Sequence, residues 1–497
     1  MKSSPSRRAF VMGMLALGLP ARAIAQGFPD GLRDVFGPRF GAQPSLGSAQ
    51  PRRRGTGAGD RLRHWNEVAI DTSGVDHTPP PPGDPRVFGE QLGPGRSSRA
   101  MAIVHIALFD AMNAIVGGCQ SYSGLRPAPA ETSTAAAIAL AAHDTLIRLY
   151  PSQAAALDEL LVEDLGAIPE GRAKVNGIKL GRAAAGAILA RRVDDGSRHP
   201  EPHVGVDFIT SDAPGKWRQD PISLSPLALG AHWGEVAPFV LRSGDQFRVP
   251  PPPDLDSRAY AIAFKEVKAL GGDGVITPTA RTADQTVTGI FWAYDGTPSL
   301  CAPTRLYNQI AMHIAEQRKT GPMELARLLA LINVAMADAG IAIWESKYHY
   351  EFWRPVTGIR EPDGNRSTPQ DPTYSPLGAP ASNLNGPNFT PPFPAYPSGH
   401  AGFGGALFQI LRHFYGTDRI PFTFVSDEFN GETRDNDGNV RPLIPKSFST
   451  LAEAEEENGQ SRIYLGIHWA FDKTKGIAQG RRVADYVFGN AFAAAPR

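Results

Sequence analysis

Residues 393–400 read Phe393-Pro394-Ala395-Tyr396-Pro397-Ser398-Gly399-His400, and the apolar run Ala401 to Phe414 follows at once. The prolines stop at Pro397 and small and apolar residues take over. That break predicts a loop-to-helix junction with Ser398 as N-cap and Gly399 and His400 in the first turn. A helix start presents free backbone N–H groups and the positive end of the dipole, which suits an oxyanion. Gly399 lets a ligand approach the backbone closely. Taken alone, the tetrapeptide Pro397–His400 also fits an ordinary junction with a surface histidine.

Two further stretches change that balance. Upstream stands Lys347-Tyr348-His349-Tyr350-Glu351-Phe352-Trp353-Arg354-Pro355. Downstream stands Ser461-Arg462-Ile463-Tyr464-Leu465-Gly466-Ile467-His468-Trp469-Ala470-Phe471-Asp472. The three give K-x6-R-P, P-S-G-H and S-R-x5-H-x3-D, in chain order. Lys347, Arg354 and Arg462 are permanent cations. Arginine forks match the oxygens of a tetrahedral oxyanion and lysine adds a point charge. Such a cluster repels itself and needs an anion or acidic neighbours. Ser398 and the Gly399 N–H add neutral donors. His400 and His468 supply imidazoles for acid/base work and for a nucleophile or ligand. Asp472, four residues after His468, lies one turn away if the segment is helical, and it could fix the imidazole tautomer. The set reads as a binder of phosphate or a phosphate-shaped ion.

Around these motifs the chain reads as helix after helix. Met101 to Met112 is apolar with small residues, as in a tightly packed buried helix, and His105 and Asp110 are expected to be satisfied core polar groups. Ala135–Tyr150, Ser152–Leu165 and Arg172–Arg192 continue the pattern. It resumes at Ser257–Leu270, Thr282–Tyr294, Thr304–Glu316 and Pro322–His349, the last placing Trp344 and Lys347 on one face. Ala452 to Phe488 closes the chain with helices. Residues 193–253, 361–392 and 417–446 are irregular, and Asp435-Asn436-Asp437-Gly438-Asn439 reads as a turn, not a calcium loop. No long strand-rich stretch is expected. The pattern predicts an all-α bundle protein, with a first helical half at about 97–192 and an active-site half at about 257–492.

Composition bounds the function. With 497 residues a large core is available, and 50 basic against 50 acidic residues argue against nucleic acid as the main partner. Cys119 and Cys301 permit one disulfide at most and no Cys-based zinc site. Residues 1–25 carry Ser6-Arg7-Arg8-Ala9-Phe10-Val11, an apolar run to Leu19 and Ala23-Ile24-Ala25 before Gln26. This predicts a twin-arginine-type signal peptide, hence a periplasmic or secreted protein. Residues 26–85, rich in Gly, Pro and Arg, read as an N-terminal arm, and 86–497 as the folded domain. No later stretch is expected to cross a membrane.

The three motifs are the signature of the vanadium haloperoxidases and the related type-2 phosphatidic acid phosphatases. Over roughly residues 280–475 the chain resembles the fungal-type chloroperoxidase branch more closely. The matching segments include Asp284–Val287, Phe291–Gly296, Tyr307–Ile310, Asp338–Ile341 and Pro391–His400. The resemblance implies a vanadium chloroperoxidase-like fold of two four-helix bundles. It implies vanadate bound through His468, with Lys347, Arg354, Ser398, Gly399 and Arg462 holding its oxygens. His400 would serve as the acid/base group, Asp295 and Asp472 as supporting carboxylates, and Trp344 and Phe393 as the halide pocket. Hydrogen peroxide, a halide ion and a small organic acceptor would be the partners, and hypohalous acid the product. Phosphate fits the same cage. A periplasmic acid phosphatase with a phosphohistidine at His468 is therefore the alternative, and a non-catalytic oxyanion binder a third reading. The sequence leaves the halide order, the acceptor and the oligomeric state open.

Overall fold

A computed structural model describes residues 31–43, 55 and 57–495. The signal-peptide reading of residues 1–25 lies outside them. In chain order the helices are α1 (Leu32–Phe36), α2 (Ala58–Asp76), α3 (Gly93–Val116), α4 (Thr134–Leu149), α5 (Ala154–Gly166), α6 (Arg172–Arg191), α7 (Arg258–Leu270), α8 (Ala283–Phe291), α9 (Pro303–Gln317), α10 (Pro322–Tyr350), α11 (Pro355–Arg360), α12 (Gly399–Tyr415), α13 (Leu451–Tyr464) and α14 (Ala470–Asn490). Four strands form two antiparallel pairs, β1 (Gly41–Ala42) with the sequence-distant β2 (Leu384–Asn385) and β3 (Phe422–Asn430) with β4 (Leu443–Phe448).

The helices pack as two groups of four. Helices α2, α3, α4 and α6 form the first, and α10, α12, α13 and α14 the second, with α3 lying along α10 between them. Small residues set the close approaches. A Cβ on Gly181 of α6 would lie 2.5 Å from the Ala137 carbonyl of α4. In the second group a Cβ on Gly480 of α14 would lie 2.0 Å from the Gly402 carbonyl of α12. Only glycine admits such backbone-to-backbone contact. Helix α10 is flanked by α3, α12 and α14, so it is apolar almost all round, as a central helix must be.

Buried polar groups tie the loops to this frame. Asp338 on α10 accepts from the N–H groups of Phe239, Val240 and Leu241 at 2.6–2.9 Å, anchoring the irregular 193–253 segment. Asp110 accepts from Ser121 Oγ and the Tyr122 and Ser123 amides. His105 bonds the Met101 carbonyl and Asn66. Both are the satisfied core groups expected. Asp435 Oδ1 accepts from the Asp437 and Asn439 amides, closing the turn read there.

The structure corrects three expectations. The 26–85 stretch is not simply an arm: α2 fills residues 58–76 and buries Leu62, Trp65, Val68 and Ala69, apolar positions at helical spacing inside a Gly- and Arg-rich context. The first bundle therefore begins well before residue 97. A nine-residue strand, β3, was not expected; Phe422, Phe424, Ser426 and Glu428 alternate inward, and the inward Ser and Glu hide the period-2 pattern. Two stretches, α3 and α10, are in fact long and apolar enough to cross a membrane, yet 89% and 94% of their apolar windows are buried against other helices. They are core helices. The sequence left the pairing of Cys119 and Cys301 open, and both are free thiols.

Candidate active site

The site forms where α12 begins, at the end of α10 and beside the start of α14. Ser398 is the N-cap of α12, its Oγ accepting from the Ala401 amide at 3.4 Å, and Gly399 opens the helix. The first-turn amides of Gly399 and His400 have no intrahelical partner and face outward from the helix end. The glycine contact between α12 and α14 brings the third motif alongside, and the Ser398 amide donates to the Asp472 carbonyl at 3.1 Å. Lys347 ends α10 and Arg354 caps α11, so the first motif converges on the same loop.

The three cations are buried. Lys347 and Arg462 have no exposed surface and Arg354 keeps 1%, whereas His400 keeps 8% and His468 3%. Only the imidazole side of the cage opens to the pocket. Backbone carbonyls aim the cations. Arg354 Nε donates to Phe393 O (2.9 Å) and Nη1 to Ile467 O (2.8 Å), while Nη2 is buried without a partner. Arg462 Nη2 pairs with Asp295 Oδ2 at 3.0 Å and its Nε is likewise buried without a partner. Lys347 differs from the expectation. Its Nζ donates to the carbonyls of Pro394, Ala395 and Pro397 at 2.6–3.0 Å, so all its donors hold the loop and it faces an oxyanion as a charge.

The two histidines have opposite tautomers, fixed by what they touch. His468 Nδ1 lies 2.8 Å from the Asp472 carboxylate and Nε2 lies 3.0 Å from Arg354 Nη1, which can only donate. The proton is on Nδ1 and the lone pair on Nε2. His400 Nε2 faces the Ala293 carbonyl at 2.5 Å, which can only accept, so its proton is on Nε2 and the lone pair on Nδ1. Asp472 reaches His468 from the third position of α14, which starts at Ala470, while accepting from the Trp469 amide at 2.9 Å. The expected helical turn between them is instead a helix-start contact.

Burial and the neighbouring cations push both imidazoles well below their ordinary range, so both stay neutral. Burial pushes Asp295 up to about 6 against the pull of Arg462, and Asp472 up to about 7. Burial likewise lowers Lys347 and Arg462, and brings Arg354 to about 9. Three cations thus face two carboxylates in a dry cage. Unpartnered guanidinium N–H groups on both arginines and free helix-start amides complete a set that fits a tetrahedral oxyanion, with the His468 Nε2 lone pair beside them.

Every residue singled out from the sequence lies at this site. Trp344 and Phe393 meet with ring centroids 4.9 Å apart, and Lys347 Nζ sits 5.7 and 5.2 Å from the two rings. Asp295 Oδ1 lies 3.8 Å from His400 Nε2. Sequence reasoning gave no role to Tyr307 and Asn458. Both donate to the His400 carbonyl at 2.9 Å and so hold the helix start that carries it. Asn458 lies three residues before the third motif, and nothing in its local pattern marks it.

A family model for the second helical-bundle domain of vanadium chloroperoxidase matches residues 327–495, which hold most of α10, all of α11 to α14 and every cage residue except Asp295. The vanadium chloroperoxidase of Curvularia inaequalis is 32% identical over 488 residues, spanning 82% of this chain and 78% of that protein. Among solved structures, one described as the first bacterial vanadium-dependent iodoperoxidase superposes with a TM-score of 0.70 at 23% identity, covering 90% of this chain and all of that one. A holo-type bacterial vanadium-dependent chloroperoxidase gives 0.60 at 19% identity, covering 84% and 95%. These two carry the likeness of fold, and the fungal enzyme carries the likeness of sequence across both bundles. On that ground, and with the three motifs gathered around one cage, the chain belongs to the vanadium haloperoxidases.

Proposed function

We propose that the chain is a vanadate-dependent haloperoxidase, which uses hydrogen peroxide to oxidise halide to hypohalous acid, and this in turn halogenates an organic acceptor. The observation that carries this is the buried cage with unpartnered Arg354 Nη2 and Arg462 Nε beside the lone pair of His468. When bound, vanadate supplies a Lewis-acidic centre that polarises peroxide without changing oxidation state. The chain supplies the rest. Arg354, Arg462 and the Gly399 amide would hold the oxyanion, with Ser398 beside them and Lys347 adding charge from behind. Asp472 keeps the His468 proton on Nδ1, so Nε2 stays available as ligand. His400 Nδ1, which carries the lone pair, can take a proton from peroxide and return it as water leaves. Trp344 and Phe393 exclude water from the niche next to these groups, which strengthens every charge there.

The same cage would hold phosphate, and a phosphatase would use His468 as nucleophile. Likeness over most of the chain to a chloroperoxidase does not favour that reading. The test is purified protein with and without added orthovanadate, assayed with bromide plus peroxide and with a chromogenic phosphoester. Vanadate-dependent bromide oxidation is expected. Phosphoester hydrolysis that vanadate only inhibits, with no halide oxidation, would replace the proposal.

Export is also proposed. It is supported by the Arg7-Arg8 motif, the apolar run after it and Ala23-Ile24-Ala25. Arg7→Lys with Arg8→Lys should leave precursor in the cytoplasm, and unchanged periplasmic yield would point to another route.

A further inference from the structure

The pocket above His400 extends well past the oxyanion cage. Its cavity measures about 50 Å³ and widens into an open mouth. Beyond Phe393 its wall is apolar, formed by Val35, Phe36, Leu92, Leu229, Phe389 and Pro391. The polar groups that reach this wall spend their donors elsewhere. Ser225 Oγ donates to the Val35 carbonyl at 2.6 Å and Trp344 Nε1 to the Leu229 carbonyl at 3.1 Å. His77 Nδ1 donates to the Ser73 carbonyl, and its Nε2 accepts from the Gly93 amide at 3.0 Å. A guest in this part of the pocket meets aromatic and aliphatic surface, and the reactive groups lie at one end only.

The wall is a fixed part of the fold. Val35 and Phe36 belong to α1, and the next residues pair as β1 with β2, Gly41 opposite Asn385. Gly37, at φ +112°, lies so close to Ser223 that an added Cβ would be 2.1 Å from its carbonyl. Phe36 packs on Phe389 with centroids 5.3 Å apart, and Phe40 lies 5.6 Å from Phe36 and 6.0 Å from Phe389. An N-terminal segment, outside the stretch matched by the bundle-domain family model, is thus stapled into the pocket wall.

We infer that this pocket binds the organic acceptor: an uncharged molecule with an electron-rich aromatic ring or alkene, its reacting carbon turned toward the His400 end. The inference rests on the haloperoxidase reading. Hypohalous acid is an electrophile, so its partner is a nucleophile, and the apolar wall selects a carbon nucleophile over a charged amine. On an aromatic ring the halogen–oxygen bond breaks and the carbon–halogen bond forms. The ring loses a proton, which joins the released hydroxide as water; the carbon is oxidised by two electrons and the halogen reduced. The ring edges of Phe36, Phe389 and Phe393 suit an aromatic guest, and the absence of free donors on Ser225, Trp344 and His77 disfavours an ionic one.

Two measurements test this, with 2-naphthol as the ring and taurine as a polar trap for free hypobromous acid. In the first, vanadate-loaded wild type turns over bromide and peroxide with both present. The ratio of brominated naphthol to brominated taurine is compared with that from reagent hypobromite delivered at the same rate. The ratio is expected to be higher with the enzyme by about tenfold. In the second, equilibrium dialysis measures 2-naphthol on vanadate-free wild type and on Val35→Phe, which fills the wall. One binding site is expected in the wild type, weakened about tenfold in the variant. Equal ratios with bromide oxidation intact, or naphthol binding that Val35→Phe does not alter, would overturn the acceptor pocket. Absence of any bromide oxidation would instead overturn the haloperoxidase reading, and dialysis would still report on the pocket.

Discussion

Phe393 shows how one residue serves two purposes, with its backbone and with its ring. Its carbonyl accepts from Arg354 Nε, and its ring lies 5.0 Å from the Arg354 guanidinium and 5.2 Å from Lys347 Nζ. An apolar ring at that place leaves both charges unscreened. Chloride is harder to oxidise than bromide, so it depends most on that dry field. We expect the enzyme to oxidise chloride as well as bromide, and Phe393→His to weaken chloride turnover more than bromide turnover. Steady-state halogenation with each halide on wild type and variant checks it; a wild type silent with chloride, or equal losses for both halides, would leave Phe393 as packing. The residue types at the cage were legible because each motif holds groups whose chemistry is scarce in combination. What the sequence could not give was their aim. Lys347 turns its donors onto Pro394, Ala395 and Pro397, and the choice between loop carbonyl and oxyanion depends on backbone from three other residues.

At the scale of elements, the site depends on how closely α12 and α14 approach. Gly402, Gly405, Gly476 and Gly480 put the two backbones in contact, and this sets His468 and Asp472 against the Ser398–His400 turn. Gly480→Ala should push the helices apart. It should cost about 1–3 kcal/mol of stability, as for an overpacked core, together with most of the activity. Gly489, near the end of the same helix, has nothing within 4 Å of an added Cβ. Gly489→Ala should be neutral or stabilise by up to about 1 kcal/mol. Thermal unfolding and activity of the two variants side by side check this, and equal behaviour would remove the contact from the account. Helix α10 was legible nearly to the residue, Pro322 to His349 expected and Pro322–Tyr350 found, because its apolar run is long and its start carries proline. Helix α2 was not, since Gly57, Gly59 and the arginines before it resemble a linker, and its burial is decided by α4 and α9. The β3–β4 hairpin was missed because two of its inward positions, Ser426 and Glu428, are polar and find partners only in the fold: Ser426 Oγ donates to the Phe291 carbonyl and Glu428 pairs with Arg441.

For the whole molecule, the cage is a place where three buried cations are held with two carboxylates in reach. Folding without an anion leaves that charge unbalanced, so an oxyanion that binds only the folded state must stabilise it. At one hundred times its Kd the gain is about 2.7 kcal/mol. Orthovanadate and phosphate should both raise the unfolding midpoint, and an equal concentration of a monovalent salt should not. Asp295→Asn removes the carboxylate paired with Arg462 at 3.0 Å and should cost about 3–5 kcal/mol, the usual penalty for breaking a buried pair. Unfolding midpoints insensitive to vanadate would mean that the cage is satisfied by the chain alone. That the chain folds as two bundles followed from its resemblance and from helical periodicity. That residues 35 and 36 line the pocket did not, because Val35 and Phe36 carry no motif and gain their meaning from Phe389 and Ser225, far away in sequence.

The account turns on a division of labour between two neutral histidines. We propose that His468, with its lone pair on Nε2, is the ligand and that His400, with its lone pair on Nδ1, moves the proton. The most direct test loads wild type, His468→Ala and His400→Ala with orthovanadate, dialyses them and measures retained vanadium alongside bromide oxidation. The account predicts about one vanadium per chain in wild type and in His400→Ala, with turnover in the latter reduced on the order of 10²–10⁴-fold, and neither vanadium nor activity in His468→Ala. Stoichiometric vanadium with normal activity in His468→Ala, or vanadium lost in step with activity in His400→Ala, would contradict it.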